Sequence, residues 1–133
     1  MKRIDVYFLL VATILLICGA VLGITMGVRQ DFQLTPVHAH LNLAGWASLA
    51  LFGLTYRAYP QLASTRIAGL HFIVSASGSV LLPIGIGLAV LRNSPGLAIL
   101  GAILWLLGVF LFLAQLIRLL GGRSETPAVA PAE

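Results

Sequence analysis

Four apolar runs leave this chain little choice of solvent. They cover 5–28, 36–57, 66–91 and 95–120, each near the roughly 20 residues that a helix needs to cross a ~30 Å hydrocarbon core. Lipid offers no partner to a backbone N–H or C=O, so each run has to satisfy its own backbone as a helix. The sequence therefore reads as an all-α membrane protein with four transmembrane helices, one domain over 1–120 with short connections. Residues 121–133, with their Ala and Pro, read as a disordered cytoplasmic tail. Charged residues make up only 9% of the chain, and its mean hydropathy is +1.03, far from soluble averages.

The formal charge of +4 comes from eight Lys and Arg residues scattered between the runs. No basic stripe forms, which argues against a nucleic-acid partner and leaves the lipid bilayer as the expected surroundings. Lys2, Arg3, Arg57, Arg66, Arg118 and Arg123 fall on one side of a four-span arrangement, and Arg29 and Arg92 on the other. The positive-inside rule then puts both termini in the cytoplasm and the start of the second run at the outer face. The basic opening and first apolar run imitate a signal peptide, but no small-x-small site ends the run, so it is expected to be retained. Cys18, the only cysteine, lies within it and has no intramolecular partner.

Two of the three histidines, His38 and His40, stand at the start of the second run. Ionisable groups in apolar segments are costly and mark candidate sites. Thr35 and Pro36 read as a helix start, with Thr as N-cap and Pro in the first turn. Residues two apart on a regular helix point about 200° away from each other, so His38 and His40 are not expected to hold one metal together. Asn42 shares the His38 face at i+4 and is placed to orient that ring. Ala39, Ala44, Gly45, Ala47 and Ser48 thin the helix and leave room for a macrocycle or another helix. Gly19, Gly23 and Gly27 make a matching stripe on the first helix, read chiefly as a packing face. His71 lies near the inner end of the third run, about 20 Å along the membrane normal from the outer pair, and reads as a polar packing residue. Gln115 and Arg118 read as a hydrogen-bonding neighbour and a headgroup anchor. Pro83 is expected to kink the third helix.

Val37-His38, Leu41-Asn42-Leu43 and Phe52-Gly53-Leu54-Thr55-Tyr56 through Pro60 together resemble the second transmembrane helix of the haem-copper oxidase superfamily, as in subunit I of cytochrome c oxidase and the large subunit of nitric oxide reductase. The resemblance covers about 25 residues. It implies a low-spin haem b, with His38 as the position that best matches the iron ligand, His40 second, and Asn42 and Gly45 beside the macrocycle. It also implies respiratory electron transfer or haem-linked O2 or NO chemistry in a bacterial cytoplasmic membrane. Family members have twelve spans in three arcs of four; four spans cannot make an oxidase, but a homotrimer would rebuild three arcs. A cofactor-free structural or assembly subunit of a respiratory complex is the alternative. Copper handling is disfavoured by the lack of Met clusters and of a second thiolate.

Overall fold

The computed structural model describes residues 3–121, and no strand occurs among them. The helices are α1 (Ile4–Arg29), α2 (Thr35–His40), a π-helical turn (Leu41–Ala47), α3 (Ser48–Ala58), the short α4 (Pro60–Ala63), α5 (Arg66–Arg92) and α6 (Gly96–Gly121). Taking α2, the π turn and α3 as one helical rod, each long element begins and ends within one residue of an expected apolar run. Three of them, Ile4–Arg29, Arg66–Arg92 and Gly96–Leu120, are long and apolar enough to cross a membrane. The expected disordered tail lies outside the described residues.

The termini of these helices follow from local chemistry. Gln30 ends α1 and Asn93 ends α5 in the left-handed conformation, both at φ 53°, where each N–H closes the last turn onto Met26 O or Ala89 O. Thr65 caps α5 by accepting from Ala68 N–H at 3.2 Å. Thr35 does not cap α2 as expected. Its hydroxyl donates back to Phe32 O at 2.6 Å, and the helix is entered from Leu34 instead. Pro83 sits inside an unbroken α5, where it removes the N–H that Ser79 O would otherwise receive.

Small residues set how closely the helices approach. Along the antiparallel α5–α6 pair, a Cβ on Gly78 would run into the Trp105 backbone and one on Gly85 into Ala98. A Cβ on Gly101 would lie 2.5 Å from Leu82 N, and one on Gly108 would strike Ser75 Oγ. Missing side chains in register thus put two backbones in contact, which is how helices gain packing energy where lipid removes the hydrophobic drive. Gly53 plays the same part between α3 and α1, 2.9 Å from Asp5 O. Ile4, Phe8, Ala12 and Leu15 of α1 then pack on Leu41, Leu49, Phe52 and Tyr56 as the core.

Outward-facing residues are apolar, among them Leu10, Ile14, Ile17 and Val21 on α1 and Ile99, Ile103, Leu106 and Phe110 on α6. This is the surface of a protein solvated by lipid. Gly101→Ala is expected to lower stability in detergent by about 1–3 kcal/mol, because neither backbone can give way. Gly69→Ala, with nothing within 4 Å of its Cβ, is expected to be neutral or to gain up to ~1 kcal/mol from reduced chain entropy. Reversible unfolding of the two variants in one detergent compares them.

Candidate functional site at the outer helix mouth

His38 and His40 are held by different parts of the fold. His38 Nδ1 lies 2.9 Å from Gly19 O on α1, and His40 Nδ1 lies 2.8 Å from Pro36 O in its own helix. A carbonyl oxygen only accepts, so in both rings Nδ1 carries a proton, and in a neutral ring Nε2 then holds the lone pair. That is the tautomer of a metal-ligating histidine, whose second nitrogen is fixed by a carbonyl or carboxylate. The rings use opposite sides of the helix, as the regular spacing requires.

His38 faces α1. A Cβ at Gly23 would lie 2.7 Å from His38 Cε1, and one at Gly19 would lie 2.7 Å from Asn42 Nδ2. The glycine stripe on α1 is thus a cradle for these two side chains, while Gly27 at its outer end meets nothing within 4 Å. Asn42 donates through Nδ2 to His38 O at 2.8 Å. Its 3.5 Å approach to His38 Nδ1 sets donor against donor, so the ring is oriented by Gly19 O and not by Asn42. Gly45 is buried against Leu15, 2.9 Å from where its Cβ would be. His38, Asn42 and Gly45 therefore belong to one packed seam.

His40 belongs to a separate place. With Ala39, Leu43, Ala44, Ser48, Leu82, Ala102 and Trp105 it lines an open groove of about 400 Å³ between the second rod, α5 and α6. The size lies within the range of small-molecule sites, and the lining is apolar except for His40, Ser48 and the indole edge. Ser79 Oγ and Trp105 Nε1 both donate to Ala44 O on the groove wall, at 2.9 and 3.1 Å. Sequence patterning did not single out Ser79 or Trp105 for this. The signal available was a π-type distortion, which no residue type announces.

A second polar cluster lies toward the opposite end. His71 and Gln115 are completely buried. Gln115 Nε2 donates to Tyr56 Oη at 3.3 Å and to Thr65 Oγ1 at 2.9 Å, and Tyr56 Oη lies 2.9 Å from His71 Nδ1. Since the tyrosine oxygen receives the amide proton, its own proton goes to Nδ1 and His71 carries hydrogen on Nε2. That N–H has no polar partner and sits among the rings of Phe8, Phe52 and Phe112, with centroids 5.0, 4.8 and 5.6 Å away. Aromatic faces are weak acceptors for such a group. His71 thus reads as polar packing, and its surroundings offer no lone pair to a metal.

Phe8, beside His71, and Gly23, beside His38, are separated along α1 by a rise of about 20 Å at ~1.5 Å per residue, so one chain cannot bring both histidines to one iron. Among the described residues no group of three or more His, Cys, Asp or Glu side chains is arranged to hold a metal ion. Arg3 and Arg57 line one pocket with Asp5, which pairs with Arg57 at 3.3 Å, and Arg118 lines another with Tyr59 and Thr65. These cations share one end of the bundle.

Tyr56→Phe is expected to cost about 1–3 kcal/mol, because it leaves buried His71 Nδ1 without a donor. Adding His71→Leu to that variant should recover part of the loss, since the unpaired imidazole is then gone. Unfolding of both variants in one detergent gives the comparison. Comparisons of the chain with protein-family models, with curated proteins and with solved structures find no match.

Proposed function

We propose that this protein is a small integral membrane protein of four transmembrane helices that binds b-type haem, with His40 as the axial ligand. It serves electron transfer or haem-linked gas chemistry in a respiratory membrane. The observation that carries the reading is His40 itself. Its Nδ1 proton is tied to Pro36 O, which leaves Nε2 as the nitrogen available to a ligand, and it stands in an apolar groove floored by small residues. Neutral imidazole held in this way is a good ligand for haem iron. Bound there, haem would supply a one-electron couple and a site for a diatomic gas.

The division of labour differs from that implied by the resemblance to haem-copper oxidases. His38 is the better match in sequence position, but its ring fills the space above Gly23 and packs against α1. We assign His38 and Asn42 to fixing the helix mouth, and Ala39, Ala44, Ser48 and Ala102 to receiving the macrocycle. Trp105 and Leu82 supply apolar wall. A groove of this size is open on one side, which leaves that face of a macrocycle on lipid or on a second copy of the chain. A second histidine ligand has to come from another copy, which is the place of a homotrimer in this reading.

A four-span topology is part of this reading. The rod from Thr35 to Ala58 is helical throughout, in pieces of 6, 7 and 11 residues, and matches the other spans in length. With Arg3, Arg57 and Arg118 at one end of the bundle, the positive-inside rule orients that end to the cytoplasm, both termini inside and His40 outside. His40→Ala is expected to abolish or shift the b-type bands in a reduced-minus-oxidised spectrum, whereas His71→Ala leaves them in place. An unchanged spectrum from His40→Ala would defeat the assignment.

A further inference from the structure

The π turn between α2 and α3 breaks the hydrogen-bond register at one carbonyl. In a regular helix Ala44 O would receive Ser48 N–H. Here that amide goes to Leu43 O and Gly45 O, and Ser48 Oγ also donates to Leu43 O at 2.8 Å. Ala44 O instead receives Ser79 Oγ from α5 and Trp105 Nε1 from α6. In hydrocarbon a carbonyl passed over by its helix needs other donors. Ser79 is completely buried, and the Trp105 indole has a single N–H to give.

The turn also decides where His40 points. α3 is locked in the core through Leu49, Phe52, Gly53 and Tyr56. α2 has no buried residue of its own, so apart from the His38 bond to Gly19 O its phase relative to α3 is set by the segment that joins them. A change of one residue in that register rotates α2 by about 100° at 3.6 residues per turn. Such a rotation would carry His40 off the groove wall and lift His38 out of the space above Gly23.

We propose that Ser79 and Trp105 are positioning residues for His40, acting through their shared hydrogen bonds to Ala44 O, which hold the π turn and thereby aim the imidazole into the groove. The inference rests on the haem reading for its purpose but not for its geometry. Trp105 has a double part, since the indole that holds the turn is also a wall of the groove. Wide turns of this kind are rare and concentrate at functional sites.

The aim of position 40 can be read without any cofactor. In a Cys18→Ser background, His40→Cys and Ala102→Cys place thiols on the two walls of the groove, and a short bifunctional maleimide in native membranes reports their proximity. Cross-linking is expected in this parent and is expected to fall at least tenfold with Ser79→Ala and Trp105→Phe together. Ser79→Thr, which keeps the hydroxyl, should retain most of it. Deleting Leu43, an exposed residue at the rim of the groove, removes the surplus residue that the π turn accommodates. The doubly substituted chain should then cross-link again, because no wide turn remains to be held.

Parental cross-linking in the Ser79→Ala/Trp105→Phe protein would overturn the inference. Loss that persists after deletion of Leu43 would also overturn it, since the two residues would then only stitch helices together. Haem content of the chain with His40 intact separates this inference from the functional reading. If the chain with His40 intact is colourless while cross-linking of the cysteine pair still responds to the two substitutions, the haem reading alone is refuted. If the chain with His40 intact bears haem and neither its spectrum nor the cross-linking of the cysteine pair responds to them, the positioning role alone is refuted.

Discussion

Lipid gives a backbone carbonyl nothing to bond to, and at Ala44 this chain meets that constraint with side chains from two other helices. Ser79 and Trp105 bring α5 and α6 to the wall of the second rod at one oxygen atom. The close α5–α6 contact at Gly78 and Gly101 is what lets both donors reach it, because Gly78 packs directly on the Trp105 backbone. Packing, backbone satisfaction and the orientation of His40 are therefore linked at one place. A larger residue at Gly78 would disturb a groove it does not touch.

The molecule keeps two polar centres apart, and they differ in kind. At one end, Gln115, Tyr56, Thr65 and His71 bond mostly to one another, inside a cage of Phe8, Phe52 and Phe112. Such a network ties α3, α5 and α6 together and gives the core a single arrangement. At the other end, His38 and His40 each hold only one backbone carbonyl through Nδ1. The Gln115 network is enclosed, and the groove beside His40 is open.

Much of this was legible in the sequence, for physical reasons that can be named. Helix bounds could be read closely because apolar runs in a membrane must be helical along their whole length, and because Asn93 and Pro60 stand where helices have to end. The i+4 relation placed His38 and Asn42 on one face, and the glycines of α1 marked the surface that receives them. Gln115 stood out as a polar residue that needed a neighbour. The π turn was not legible, since Leu41 to Ala47 contains no residue that demands one, and the side chains that donate to Ala44 O lie far along the chain. Nor was it legible that His38 faces α1 while His40 lines the groove. The ring of His38 is oriented by Gly19 O, a backbone atom that sequence patterns do not display.

The account turns on whether the groove beside His40 receives haem. The most direct measurement is a pyridine haemochrome assay on the unmodified protein purified in mild detergent from haem-replete cells, with protein quantified by amino-acid analysis. The account predicts b-type haem in near-stoichiometric amount per groove. Colourless protein from such cells, folded and eluting as a single species, would contradict it and leave a cofactor-free assembly role as the reading of this fold.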